Sequence, residues 1–259
     1  NTVSLTGDNT YSGGTTVTPR AGENVNVELR VGMDTYTGSV GTGPITLSAG
    51  TFNGNPGAAD LPLPPHRGHT PASTINLNPN TDAQAVPDPK NVTLFRQGLG
   101  AMTLTGTVNV GSTTAGPATQ RATIQTEGGA KLNFNATLNA GAGNLLNIVN
   151  NGIFTFGGTA SNTFDGILSG NNVWVFKNTG TTTLTGVNTF NTGSTYIQKG
   201  IVVMNNAAGT AIQNDNDTHV LQGAVLRAAN SETIGQLYMQ RGAATNILAG
   251  ATLTVDDTG

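Results

Sequence analysis

Residues 5–17 read LTGDNTYSGGTTV and residues 184–196 read LTGVNTFNTGSTY, agreeing without a gap at seven of thirteen positions. Tyr11 also falls opposite Phe190, an aromatic for an aromatic, and a third LTG stands at 104–106. Words repeated so far apart in a chain of 259 residues constrain the fold more than any composition does. A short unit that cannot bury its own apolar side must bury it against its neighbours, which is the logic of stacked coils.

Between the repeated words, alternation with a period of two dominates. In residues 131–139, Leu132, Phe134, Ala136 and Leu138 alternate with Asn133, Asn135, Thr137 and Asn139. A strand with this pattern buries one face and wets the other. Similar runs recur at 45–47, 103–110, 153–156, 173–176, 201–204 and 248–255, separated by turn clusters such as Gly13-Gly14, Asn53-Gly54 and Gly128-Gly129. Lys and Glu are scarce, and no segment carries apolar residues at i, i+3, i+4, i+7 over several turns. The chain is therefore all-β, a sandwich or a solenoid, and the repetition selects the solenoid. The expectation is a single parallel β-helix domain over residues 1–259, at about 20–25 residues per coil. Apolar residues would line its inside, with Asn and Thr stacked in ladders at its corners.

Residues 53–92 break the rhythm. Eight of the eleven prolines fall between Pro56 and Pro89. Proline cannot donate to a ladder, so this stretch is expected to be one long Pro-rich loop outside the coil stack.

Several kinds of chemistry are excluded or unsupported. Charged residues are 10% of the chain and the net charge is −3, which leaves no footprint for nucleic acid or anionic lipid. No run of about 18 apolar residues exists, so membrane insertion is not expected. Cysteine is absent, which removes disulfides, zinc-thiolate sites and thiol catalysis together. His66 and His69 have metal-ligand spacing, yet they sit among prolines with only Asp60 near in sequence. The polar run 214–217 lacks the glycine and the distal glutamate of a calcium loop and reads as a solvated turn. The fourteen acidic residues are scattered, and the adjacent pair Asp256-Asp257 would point to opposite faces of a strand. No phosphate-cradling glycine loop precedes a helix, and only His219 lies outside the proline stretch as a base for a serine triad. Neither catalytic residues nor a metal site nor a cofactor is expected. Trp174 and Phe176 alternate with Val173 and Val175 in a strand apolar on both faces, so Trp174 and Phe176 form a candidate partner surface.

Residues 163–203, TFDGILSGNNVWVFKNTGTTTLTGVNTFNTGSTYIQKGIVV, carry more than alternation. They run in the order F-x-G, a second glycine, an apolar strand, K, then L-x-G, N-T-aromatic and a G-containing step. This resembles the autotransporter-associated β-strand repeat of bacterial surface proteins. Phe164, Gly166 and Gly170 match the first part of that pattern; Lys177, Gly180, Leu184 and Gly186 match the middle; Asn188, Thr189, Phe190, Gly193 and Thr195 match the end. The departures are Asn178-Thr179 in place of one glycine step, Phe190 for tyrosine, and Thr192 for the first of paired glycines, whereas Gly13 and Gly14 keep that pair in the first copy. The resemblance implies a right-handed parallel β-helix on the outside of a bacterium. It implies structural residues only, glycines that turn corners and an Asn-Thr-aromatic step that fills one.

Two functions from different classes follow as expectations. In the first, the chain is a structural subunit of an extracellular fibre, stacking head to tail with copies of itself. In the second, it is a passenger or adhesin segment whose loops bind glycans or host surfaces. The chain opens at Asn1 with neither methionine nor an apolar leader, which is expected of a processed form or an excised segment. Joining its two ends gives TVDDTG-NTVSLTGDNTY, which parallels VFKNTG-TTTLTGVNTF within residues 175–190. The expected junction therefore uses Val3, Leu5, Thr6 and Gly7 of one copy and Leu253, Val255, Thr258 and Gly259 of the next. One period of a longer repetitive polypeptide would place the same junction within a chain.

Overall fold

The computed structural model describes residues 2–5, 12–18, 28–31, 43–48, 51–54, 74–78, 93–97, 101–111, 121–126, 128–140, 144–190, 193–213 and 216–256. Within them lie 26 short strands and no helix, and the strands stack in parallel as a β-solenoid. The chain divides into two compact units. One comprises Asn1–Leu132 with Ala136–Asn147; the other comprises Asn133–Asn135 with Ile148–Gly259.

In the N-terminal unit, Thr15–Val17, Ile45–Ser48, Ile75–Asn78, Thr107–Val110 and Thr137–Ala140 form one five-stranded parallel face. Thr15 lies beside Ile45, Ile45 beside Ile75, Ile75 beside Val108, and Thr107 beside Thr137. Alternation decides which side is buried. Ile45, Leu47, Ile75, Leu77, Val108 and Val110 are at most 2% exposed. Each such side chain contributes about 1.5–3 kcal/mol when buried. Their neighbours Thr46, Asn76, Asn109 and Asn139 face outward and form an amide ladder. Asn76 Nδ2 donates to Thr46 Oγ1 (3.1 Å), Asn109 Nδ2 to Asn76 Oδ1 (2.9 Å) and Asn139 Nδ2 to Asn109 Oδ1 (3.0 Å). This ladder runs over the strands themselves and not, as expected, at corners. Its successive partners are separated by 30, 33 and 30 residues, so the coils of this unit are longer than the sequence pattern suggests.

The Pro-rich stretch needs correcting. Ile75–Asn78, inside it, is a core strand paired on both sides. Its INLN alternation is a strand pattern, and none of its four residues is proline, so nothing bars it from the stack. The prolines themselves lie outside the described residues, as do His66 and His69.

In the C-terminal unit a full coil is three short strands joined by tight corners, as in Asp217–Val220, Val225–Ala228 and Glu232–Ile234. On the first face, Phe154 lies beside Trp174, Trp174 beside Thr195, Thr195 beside Thr218, and Thr218 beside Leu237. The second face runs through Asn162, Thr182, Val202, Leu226 and Thr245 in the same way. Coils are shorter here: Leu168 and Asn188, hydrogen-bonded between adjacent coils, are 20 residues apart. The longest step on the first face, from Thr195 to Thr218, holds the polar run near 213–217. Asn216 there is buried and donates to Gly193 O at 2.6 Å, so this end of the run is a structural plug and not a solvated turn.

The interior is aromatic. Phe134, Phe154, Phe156, Phe164, Trp174, Phe176 and Phe190 are all at most 2% exposed. Phe156 stacks on Phe176 with centroids 4.5 Å apart and meets Phe164 edge-on at 4.8 Å; Trp174 lies 5.1 Å from Phe190. Corners are closed by buried amides. Asn150, Asn178, Asn188 and Asn206 donate to the carbonyls of Val173 (2.9 Å), Ala160 (3.3 Å), Ala211 (2.8 Å) and Thr185 (2.7 Å), each in a neighbouring coil. Paired this way, they avoid the penalty of about 1–3 kcal/mol for an unsatisfied buried polar group. Corner glycines are needed where coils touch through backbone: a Cβ on Gly186 would collide with the Gly166 carbonyl oxygen directly beneath it. Gly170 combines such a contact, with Asn150 O, and a φ of 106°.

Candidate functional site

Within the C-terminal unit, burial fails at one end. Leu237–Met239, Ala244–Ile247 and Leu253–Val255 each stand last in their sheet, with a paired neighbour on one side only. Their alternation continues the pattern of the coils below, yet Met239, Ile247 and Val255, at inward register positions, are between 44% and 48% exposed. One coil earlier, Val220, Leu226, Ala228 and Ile234 are fully buried. The same sequence pattern therefore produces core in one coil and an open apolar surface in the next. An uncovered strand edge of this kind is a template for another strand.

The sequence-derived junction residues fall on edges, each in its own unit. Thr2–Leu5, carrying Val3 and Leu5, stands last in its sheet in the N-terminal unit and among the described residues pairs only with Glu28–Val31; Val3 is 56% exposed. Leu253 and Val255 lie on the last strand of the C-terminal unit, beside Glu232 and Ile234. Thr6, Gly7, Thr258 and Gly259 lie outside the described residues.

The repeat-motif residues form corners and core. Phe164, Leu184, Asn188 and Phe190 are buried, and a Cβ on Gly180 or Gly193 would strike backbone of the coil beneath. Gly14 packs on Pro44, its Cβ position 3.1 Å from the carbonyl oxygen, whereas Gly13 is open.

Trp174 and Phe176 are not a partner surface. Both are fully buried, because theirs is the inward face of the strand. The outward face carries Val175, and register sets Tyr196, His219 and Tyr238 above it in successive coils. Tyr196 and His219 stack with centroids 4.6 Å apart and planes 13° apart, and His219 and Tyr238 stack at 4.6 Å and 9°. These rings recur once per coil, a signal that is visible when the coil period is applied beyond the repeated words.

Glu232 carries no comparable signal in the sequence. It is 2% exposed, both carboxylate oxygens accept from Ala211 N–H at 3.2 Å, and burial pushes its pKa up to about 7 against the lowering effect of that bond. Among the described residues no three His, Cys, Asp or Glu side chains come together, and no helix is long and apolar enough to cross a membrane. No protein-family model, curated protein or solved structure matches the chain.

Proposed function

We propose that this chain is a structural β-solenoid subunit of a bacterial extracellular or cell-surface fibre, extended by head-to-tail stacking. The observation that carries the reading is the open apolar end of the C-terminal unit, where an alternating pattern buried in the coil below stands exposed. The occupant is a second copy, entering with its own edge strand Thr2–Leu5. Such a contact joins two different surfaces and does not close on itself, so it propagates. Self-assembly needs neither cofactor nor catalytic group. The bacterial surface location and membership of the autotransporter-associated repeat class rest on the motif residues of 163–203.

Sedimentation and negative-stain imaging test this reading. The intact chain forms concentration-dependent filaments, and Ile247→Lys with Val255→Lys, both at exposed positions, leaves folded monomers. A chain that stays monomeric at high concentration overturns it. A second reading, a passenger segment that binds glycans or host surfaces, draws on the outward Tyr196–His219–Tyr238 stripe. Glycan binding lost on Tyr238→Ala, with assembly unaffected, is the outcome that favours it.

A further inference from the structure

The corner at Glu232 repeats the corner at Asn188 with a carboxyl group, one methylene longer, in place of the amide. Asn188 Oδ1 accepts from Leu168 N–H at 2.9 Å, in the coil beneath, and its Nδ2 donates to Ala211 O at 2.8 Å, in the coil above. Glu232 stands two coils on and likewise reaches down, its oxygens accepting from Ala211 N–H. The backbone repeats as well: Asn188 N–H donates to Thr210 O (3.1 Å), and Glu232 N–H donates to Thr252 O (2.8 Å). Ala211, with its small side chain, is thus held at its carbonyl by Asn188 and at its N–H by Glu232.

An amide accepts and donates at once, whereas an ionised carboxylate only accepts. Glu232's acceptance from the Ala211 N–H strengthens on ionisation, but the loss of hydration at a side chain 2% exposed outweighs that bond. Ionised, Glu232 is a buried anion needing a cation, and among the described residues none is beside it. It borders an open groove of about 400 Å³ lined by Ala, Gly, Ser and Thr, including Thr210, whose buried Oγ1 has no partner among the described residues. The coil beneath presents Ala207, Ala208, Gly209, Thr210 and Ala211, none of which titrates. On the packed strand Leu253–Val255 nothing titrates, and the next group, Asp256, is exposed.

We propose that Glu232 is a proton-operated latch on the last coils of the C-terminal unit, closing the corner when protonated and loosening it when ionised. Its folded pKa of about 7 lies above the ordinary 4.5. The stability it lends is therefore complete below pH 4.5 and is lost as pH rises through about 7. The latch acts within a single copy. Only its consequence, that mild acid firms the end on which another copy stacks, rests on the fibre reading.

Hydrogen exchange at the Ala211 amide, on dilute protein at pH 5 and pH 8, tests the latch without requiring assembly. After correction for intrinsic rates, protection in the wild-type chain is expected to fall up to about seventyfold between those pH values. Glu232→Gln, which keeps the acceptor and adds a permanent donor, is expected to remove that fall. A wild-type profile that is flat, or a fall that persists in Glu232→Gln, overturns the latch. If that variant fails to fold, a carbon-13 titration of Glu232 in the wild type replaces it: a midpoint near 7 supports the latch, and one near 4.5 overturns it. A working latch in a chain that never polymerises sinks the fibre reading alone.

Discussion

The two units are built on one alternation but run at different periods. Ladder partners in successive N-terminal coils, such as Thr46 and Asn76, are 30 residues apart, whereas Leu168 and Asn188 in successive C-terminal coils are 20 apart. Among side chains described, the buried hydrophobics of the N-terminal unit are all aliphatic, whereas the C-terminal unit packs seven aromatics. Polar ladders differ too, outward Asn76–Asn109–Asn139 in one and inward amides such as Asn188 in the other. The difference teaches that alternation alone makes a rung. The short C-terminal coils add corners closed by buried amides that bond to a neighbouring coil.

That comparison can be broken at graded cost. The largest effect is expected from deleting residues 57–87, which removes the rung Ile75–Asn78 with Ile75 and Leu77. Two lost core residues at about 2–5 kcal/mol each should abolish cooperative melting of the N-terminal unit, read by circular dichroism. Were the β signal and melting to survive, the strand would be dispensable and the stretch a true excursion. Next comes Gly186→Ala, whose new methyl collides with the Gly166 carbonyl oxygen. Strain and displaced backbone should cost about 3 kcal/mol or more, lowering the denaturation midpoint of the C-terminal unit while the N-terminal unit is unchanged.

The cores can be set against each other by truncation. Phe156→Ala, which removes a ring in contact with Phe154, Phe164, Trp174 and Phe176, should cost about 3–5 kcal/mol, against about 2–5 for Leu77→Ala. Equal midpoints for the Phe156 variant and the wild type would mean the aromatic core is not what holds the short coils. The polar ladders give the smallest contrast. Asn188→Ala orphans Leu168 N–H and Ala211 C=O inside the corner, worth about 1–3 kcal/mol, whereas Asn139→Ala on the exposed end of the outer ladder should stay within about 0.5. A reversal of that order would refute the view that buried corner amides stabilise more than outer ladders do.

Strand character is legible in residues 131–139 and in the recurring LTG words, because period-two alternation is a local property, but the corner that splits 131–139 into Lys131–Phe134 and Thr137–Ala140, in two different sheets, is not. Corners are legible where the motif is explicit: Gly186 and Asn188 do what their positions in it imply. The direction of a strand apolar on both sides is not legible. Val173–Phe176 gives no local sign of which pair turns inward; the aromatic pair does, because only the interior can enclose rings of that size among Phe154, Phe156 and Phe190. Ile75–Asn78 is hidden by its proline neighbours, since proline density describes a stretch while ladder membership is decided strand by strand. Glu232 is invisible because its role depends on Ala211, 21 residues away, and on the smallness of that side chain.

We propose head-to-tail stacking through Val3 of one copy and Val255 of another, and the absence of cysteine makes it directly testable. Val3→Cys and Val255→Cys replace exposed side chains and can be oxidised in the assembled state. With both substitutions in one chain, non-reducing gels should show a ladder of dimers, trimers and higher multimers. Either substitution alone should leave monomers, because each surface meets the other and not itself. Dimers from a single-cysteine chain, or only monomers from the doubly substituted one, would contradict the account.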